Sequence, residues 1–218
     1  MLHSHIDHIV ITASSLAAGS EYIFRTLGVA LESGGEHSRM GTHNLLLRLG
    51  KDVYIEVIAI NPEAQQPDRP SWFGLTSDYN QPTGLAGWVA RTNDITAASQ
   101  AATLPLGPVE TMTRGQLSWQ ITIPDDGRLV MNGAAPALIQ WDGTQHPASR
   151  MEDIGCTLIS LEAFHPDAAD VRQLLEQIGF EGPFTVSPLE AGQAPYLIVH
   201  IHTPSGPKQI DSRHASKG

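Results

Sequence analysis

Ten histidines in a chain of 218 residues are the first feature with chemical consequences. Imidazole is both a proton carrier near neutrality and a common metal donor. His8 lies in Ile-Asp-His-Ile-Val-Ile-Thr (6–12) and Glu56 in Val-Tyr-Ile-Glu-Val-Ile-Ala-Ile (53–60), two apolar, β-branched stretches. A carboxylate buried in such a stretch needs a partner, because an unpaired one is costly to take out of water. His200 and His202 stand two apart in a run that reads as a strand, so they share a face. A metal held there needs further donors from Asp211 and His214 in a fraying tail, and a half-exposed strand face is the simpler explanation. His43, in Gly-Thr-His-Asn (41–44), stands at a strand entrance and either meets a ligand or shapes a turn. Trp72-Phe73 either lid an apolar pocket or pin down the segment that carries them, and Arg114 either binds an anionic substrate or belongs to a hairpin turn with Gly115. Trp119 and Trp141 read as core or wall. Cys156 is the only cysteine, so an intrachain disulfide and a thiolate-clustered zinc are excluded, and with no basic neighbour it reads as a small buried residue. Gly-x-Ser-x-Gly, His-Glu-x-x-His, Walker and Gly-x-Gly-x-x-Gly patterns are absent, which disfavours serine-nucleophile and standard nucleotide chemistry.

Composition narrows the partners. With 13 Lys plus Arg against 23 Asp plus Glu, the net charge of −10 lacks the basic stripe that binds a phosphate backbone, so no nucleic-acid partner is expected. At 41% hydrophobic and 17% charged residues the chain can build a substantial core. No apolar stretch approaches the ~20 residues that cross a bilayer. Met-Leu-His-Ser-His at the start has neither a basic region nor an apolar one. No membrane partner and a cytoplasmic location follow as expectations, with a small-molecule ligand as the remaining partner class.

The elements that must position these residues come in three passes. A strand over 6–12 leads through Ser14-Ser15 to a helix with Leu16, Ile23, Phe24 and Leu27 on its stripe, which Gly28 stops. Gly34-Gly35 mark a bend, and strands follow over 44–49 and 53–60. Residues 61–84, with Pro62, Pro67, Pro70 and Pro82, read as a linker. The second pass begins at Gly84, has a helix over 95–102 capped by Asp94, and strands over 108–113, 117–123 and 137–141. The third begins over 154–160, with a helix carrying Val171, Leu174, Leu175 and Ile178 up to Gly179, then strands over 183–189, 196–203 and 207–211. The order β, α, β, β, β recurs, so an α+β fold is expected, and the chain reads as internally repeated, although any α+β protein shows strand-helix-glycine runs.

The segments IDHIVITASSL (6–16), FRTLGV (24–29), GTHNLLLRLG (41–50), VYIEVIA (53–59), GLAGWVARTNDI (84–95) and ALIQWDGTQHP (137–147) resemble the vicinal oxygen chelate superfamily, and within it the glyoxalase-like domain proteins. The resemblance implies repeated βαβββ modules forming a glyoxalase/bleomycin-resistance-type curved-sheet barrel: paired modules over 1–150 (1–60 and 84–150, linked by 61–83) and a third βαβββ-like module over 151–218. It also implies a cupped site that commonly holds a divalent metal, here Zn, Fe, Mn or Ni. His8 falls on the first-strand ligand position and Glu56 on the last-strand carboxylate position. Gly87 falls where a second histidine is usual, and Gln140 where a second carboxylate is usual. The implied set is therefore His8, Glu56 and Gln140, with Glu56 also a candidate base and His43, Trp72 and Arg114 candidate substrate contacts. The function implied is a metal-dependent lyase, isomerase or dioxygenase acting on a small oxygen-bearing organic substrate. The alternative is a non-catalytic module that sequesters a small molecule. A homodimer is a further expectation, and residues 151–218 either pack beside the barrel or serve as an interface.

Overall fold

In a computed structural model, which describes residues 1–65, 67–76, 79, 81–115, 117–143, 146–190 and 192–214, two similar units build one curved sheet. The first unit is β1 (Ser4–Thr12), α1 (Leu16–Leu27), β2 (Glu32–His37), β3 (Thr42–Arg48) and β4 (Tyr54–Ile60). The second is β5 (Gly84–Thr92), α2 (Ile95–Ala101), β6 (Val109–Arg114), β7 (Leu117–Thr122) and β8 (Ala137–Trp141). The strand order is β2-β3-β4-β1-β5-β8-β7-β6, with β1 and β5 antiparallel at the centre and each parallel to the last strand of its own unit. The two edges, β2 and β6, approach each other and nearly close a barrel. Arg39, just beyond β2, pairs with Glu110 on β6 and donates from Nη1 to the Thr111 carbonyl at 2.8 Å. Such side-chain stitching covers edge groups that would otherwise be open to another chain.

The helix α1 shows how tightly the outer layer fits. The Ser15 hydroxyl accepts from Ala18 N at 3.1 Å, and Gly28 ends the helix at φ 74°, a left-handed position that glycine adopts without strain. Its buried face is Gly19, Tyr22, Ile23 and Leu27. Phe24, expected on that stripe, is 62% exposed, because it is one residue and about 100° beyond Ile23. A Cβ at Gly19 would stand 2.3 Å from Val57 Cγ1, so the helix backbone rests on β4. Gly19→Ala is expected to destabilise the protein by about 1–2 kcal/mol, overpacking outweighing the gain in helix propensity. A raised urea midpoint for that variant would contradict this packing.

The C-terminal unit comprises β9 (Thr157–Phe164), α3 (Ala168–Gln177), β10 (Phe184–Ser187), β11 (Tyr196–Thr203) and β12 (Gly206–Asp211). Its element order matches the first two, yet its strand order is β10-β9-β11-β12, placing the opening strand inside the sheet rather than beside the last strand. The strand expected over 154–160 begins at Thr157, because Gly155 at φ 81° and the Asp153 carboxylate, accepting from Gly155 N, make a turn there. This sheet packs on the convex face of the first. Trp88 stacks on Phe184 at 4.7 Å, and Ile9, Ile11, Leu161 and Val199 share one core. With Ile9 and Ile11 facing that core and His8 and Val10 facing the hollow, β1 is covered on both sides, which is why Ile9-Val10-Ile11 is an unbroken apolar run. No described helix is long and apolar enough to cross a membrane.

Candidate active site

The concave face holds a narrow hollow lined by His8 (β1), Glu56 (β4), His37 (β2), Arg114 (β6), Trp119 (β7) and Trp141 (β8). Trp72 and Phe73, from the 61–83 connection, cover it, and the walls leave about 20 Å³, room for a water. The register explains the central pair. On parallel β1 and β4, His8 lies opposite Tyr54 and Val10 opposite Glu56, so His8 and Glu56 are diagonal neighbours on one face. His8 Nε2 is 3.4 Å from Glu56 Oε2, and the Tyr54 ring stacks on the imidazole at 4.7 Å.

A closed polar network runs through the apolar walls. Asp7, fully buried, accepts from His8 Nδ1 at 2.7 Å, from His146 Nε2 at 2.9 Å and from Trp141 Nε1 at 3.0 Å. His146 Nδ1 accepts from Ala148 N, which leaves its proton on the nitrogen that faces Asp7. Asn44 donates to Glu56 Oε1 at 2.5 Å, and Arg114 Nη1 donates to Asn44 Oδ1 at 3.2 Å and to His37 Nε2 at 3.3 Å. Thr42 Oγ1 holds His37 Nδ1 at 3.1 Å and accepts from Trp72 Nε1 at 3.2 Å, tying the cover to the floor. Gly35 makes room for Arg114, whose Cδ would stand 2.8 Å from a Cβ there.

Burial and pairing set the charges. Burial alone would strip His8 of its proton, but hydrogen bonds and Coulomb attraction from Asp7 and Glu56 prevail and raise its pKa to about 9. Burial would likewise raise Glu56, yet His8, His37 and Asn44 lower it to about 2. Asp7 is burdened by desolvation and still held well below the carboxylate range by His146 and His8. His37 is pulled down to about 4, first by burial, against the attraction of Glu56 and with the help of Arg114. At neutral pH the hollow therefore holds two anions, Asp7 and Glu56, and two cations, His8 and Arg114, beside a neutral His37.

Of the expected site residues, His8, Glu56, Trp72 and Arg114 meet in this hollow. Two expectations are corrected. His43 points out of it, because strand alternation on β3 gives Thr42 and Asn44 the buried face, and His43 borders a separate surface groove with Tyr79 and Pro62. Gln140 is also turned away, since Ile139 and Trp141 take the concave face of β8, and its Oε1 accepts from Ile95 N at 2.7 Å at the start of α2. Asp7, His37, Tyr54 and His146 were not anticipated, whereas Asn44 belongs to the 41–44 stretch expected either to meet a ligand or to shape a turn. Of those four, Asp7 alone carried a signal, as an acidic residue in the middle of an apolar strand. His200 faces Glu162 at 3.4 Å on the other sheet, far from this network in the fold.

The donor set does not suit the divalent metal that the resemblance implies. Val89 opposite His8, and Gly87 opposite Val10, supply no side-chain donor from β5, and β8 presents Ile139 and Trp141. The remaining imidazole, His37, turns Nε2 toward the Arg114 guanidinium, whose charge repels a cation. Among the described residues no three His, Cys, Asp or Glu converge to hold an ion.

Residues 6–179 match the glyoxalase-like domain, and the chain belongs to that family, within the vicinal oxygen chelate superfamily. No curated protein sequence matches it. Among solved structures it is similar to a hypothetical protein from Staphylococcus aureus, at 16% identity and TM-score 0.58 over 86% of each chain. It is also similar to a methylmalonyl-CoA epimerase from Streptomyces coelicolor, at 18% identity and TM-score 0.43 over 65% of this chain and 97% of that one. A variant of 4-hydroxymandelate synthase from Streptomyces coelicolor matches at 13% identity and TM-score 0.46, over 97% of this chain and 63% of that one. These likenesses concern the fold.

Proposed function

We propose that the hollow, widened as its Trp72–Phe73 cover moves aside, binds a small, planar, oxygen-bearing organic anion and exchanges a proton with it. The observation that carries this reading is the convergence of an imidazolium, a carboxylate and a guanidinium inside one aromatic-walled space. Arg114 reaches the hollow from the barrel's edge and supplies the fixed positive charge for a carboxylate or enolate oxygen, while Trp72, Trp119 and Trp141 offer flat faces to a planar ligand. His8 can donate from Nε2 to a carbonyl oxygen while Glu56 takes a proton from the adjacent carbon. One proton leaves His8 and one arrives on Glu56, so the enol forms with no net charge change in a buried site. Asp7 keeps the ring of His8 oriented throughout. This is isomerase- or lyase-type chemistry. A sequestering module is the second reading, favoured by the aromatic walls, and it shares the binding step without the exchange.

Tryptophan fluorescence titration with short 2-oxo acids, alongside proton NMR of their α-hydrogens in D₂O, tests both. Saturable binding with enzyme-dependent deuterium incorporation supports the first reading, and binding without exchange supports the second. Arg114→Ala is expected to weaken binding about tenfold or more, the worth of a charged hydrogen bond. Equal binding by that variant, or no binding of any acid by the native protein, overturns the assignment.

A further inference from the structure

A second cavity lies against the first, where the concave face meets the neighbouring core at the end of β7. Its walls are Ile123, Leu106, Leu129, Val130, Ala135 and Ala137, and it shares Trp72, Phe73 and Ile121 with the polar hollow. The register shows why the two are continuous. Along β7 the concave face runs Trp119, Ile121 and then, just past the strand, Ile123; along β8 it runs Trp141, Ile139, Ala137. The polar end and the apolar end are thus a few residues apart on one pair of strands, roughly 7 Å for each two-residue step. The Trp72–Phe73 turn and the Ile121 side chain line both.

That turn and the opposite wall are strained. Phe73 at φ 57°, Met131 at 51° and Asn132 at 54° are the non-glycine residues with positive φ among the described residues, and they belong to the two short 3₁₀ turns that border this cavity. Strain of this kind collects where a fold holds a ligand or moves. Gly74 and Gly127 fasten the turn, Gly74 N donating to the Gly127 carbonyl at 2.8 Å. At its outer end the cavity opens beside Arg128, whose side chain is 84% exposed.

We infer that this second cavity holds the apolar tail of the ligand whose oxygen-bearing head sits against Arg114, so that the substrate is an amphiphilic acid with an alkyl or aryl tail. The inference rests on the function proposed above and adds the tail to it. Both cavities are narrow, about 20 Å³ each, and a tail enters as the Trp72–Phe73 turn yields and joins them.

The test is a homologous series of straight-chain 2-oxo acids, from three to ten carbons, titrated against the whole chain by calorimetry. Affinity is expected to rise about fourfold for each methylene, the usual value of burying one, and to level off when the tail reaches water at Arg128. Ala137→Leu, which fills the cavity, is expected to flatten that rise. If the three-carbon acid binds and affinity is flat along the series in the native protein, the tail site is overturned while the head assignment stands. If no member binds, both fall. A rise that Ala137→Leu leaves unchanged also overturns it, since the tail would then lie elsewhere.

Discussion

Asp7→Asn is expected to lower the free energy of unfolding by about 3–5 kcal/mol, the loss typical when one partner of a buried charge cluster is removed. The side chain is fully buried and receives three N–H groups, from His8, His146 and Trp141. The amide is nearly the same size, so no cavity opens, and the whole effect is electrostatic. Its NH₂ can accept nothing, so one or more of the three donors loses its acceptor in a site without bulk water. The imidazolium of His8 loses its nearest anion and keeps only Glu56 at 3.4 Å. Urea unfolding at neutral pH measures the loss. A change below about 1 kcal/mol would mean that the cluster is wetter or looser than its geometry indicates.

The sequence made the scaffold easier to read than the site, for identifiable reasons. β1 and β4 carry β-branched runs bounded by turns, β5 is a mostly apolar stretch opened by Gly84, and Ser15 and Asp94 do cap α1 and α2. Periodicity and caps are local signals, and they survive folding. Pairing is not local: the C-terminal unit keeps the element order while β9 sits between β10 and β11. His8 and Glu56 were legible through the family resemblance, and Glu56 also because a carboxylate inside an apolar strand demands a partner. Gln140 and His43 failed on strand parity, since a shift of one residue turns a side chain to the opposite face. His37, Asn44 and His146 stand in short or polar segments whose contacts span between 5 and 139 residues of chain, so only the closed sheet reveals their role.

Stability as a function of pH is expected to peak near 6.5, with His8 forming the alkaline flank and His37 the first part of the acid flank. His8 is raised to about 9, so its contribution is complete below 6.5 and fades as pH climbs from there to about 9, where the folded protein would have to keep two carboxylates without the cation between them. His37 is lowered to about 4, so between 6.5 and 4 the unfolded chain takes up a proton that the folded one refuses, and stability falls as pH falls. Below 4.5 Glu56, held at about 2, adds to the loss in the same direction. Each flank is on the order of 3 kcal/mol, since the two imidazoles move from 6.5 to about 9 and about 4 and one pKa unit corresponds to about 1.4 kcal/mol. Urea midpoints from pH 4 to pH 9.5 trace the curve, and NMR of the imidazole nitrogens assigns its flanks. Glu56→Gln is expected to bring the His8 midpoint down by about one unit or more and to shrink the alkaline flank with it. If that flank stays unchanged in the variant, Asp7 alone holds the proton on His8, and the electrostatic coupling of His8 to Glu56 is refuted.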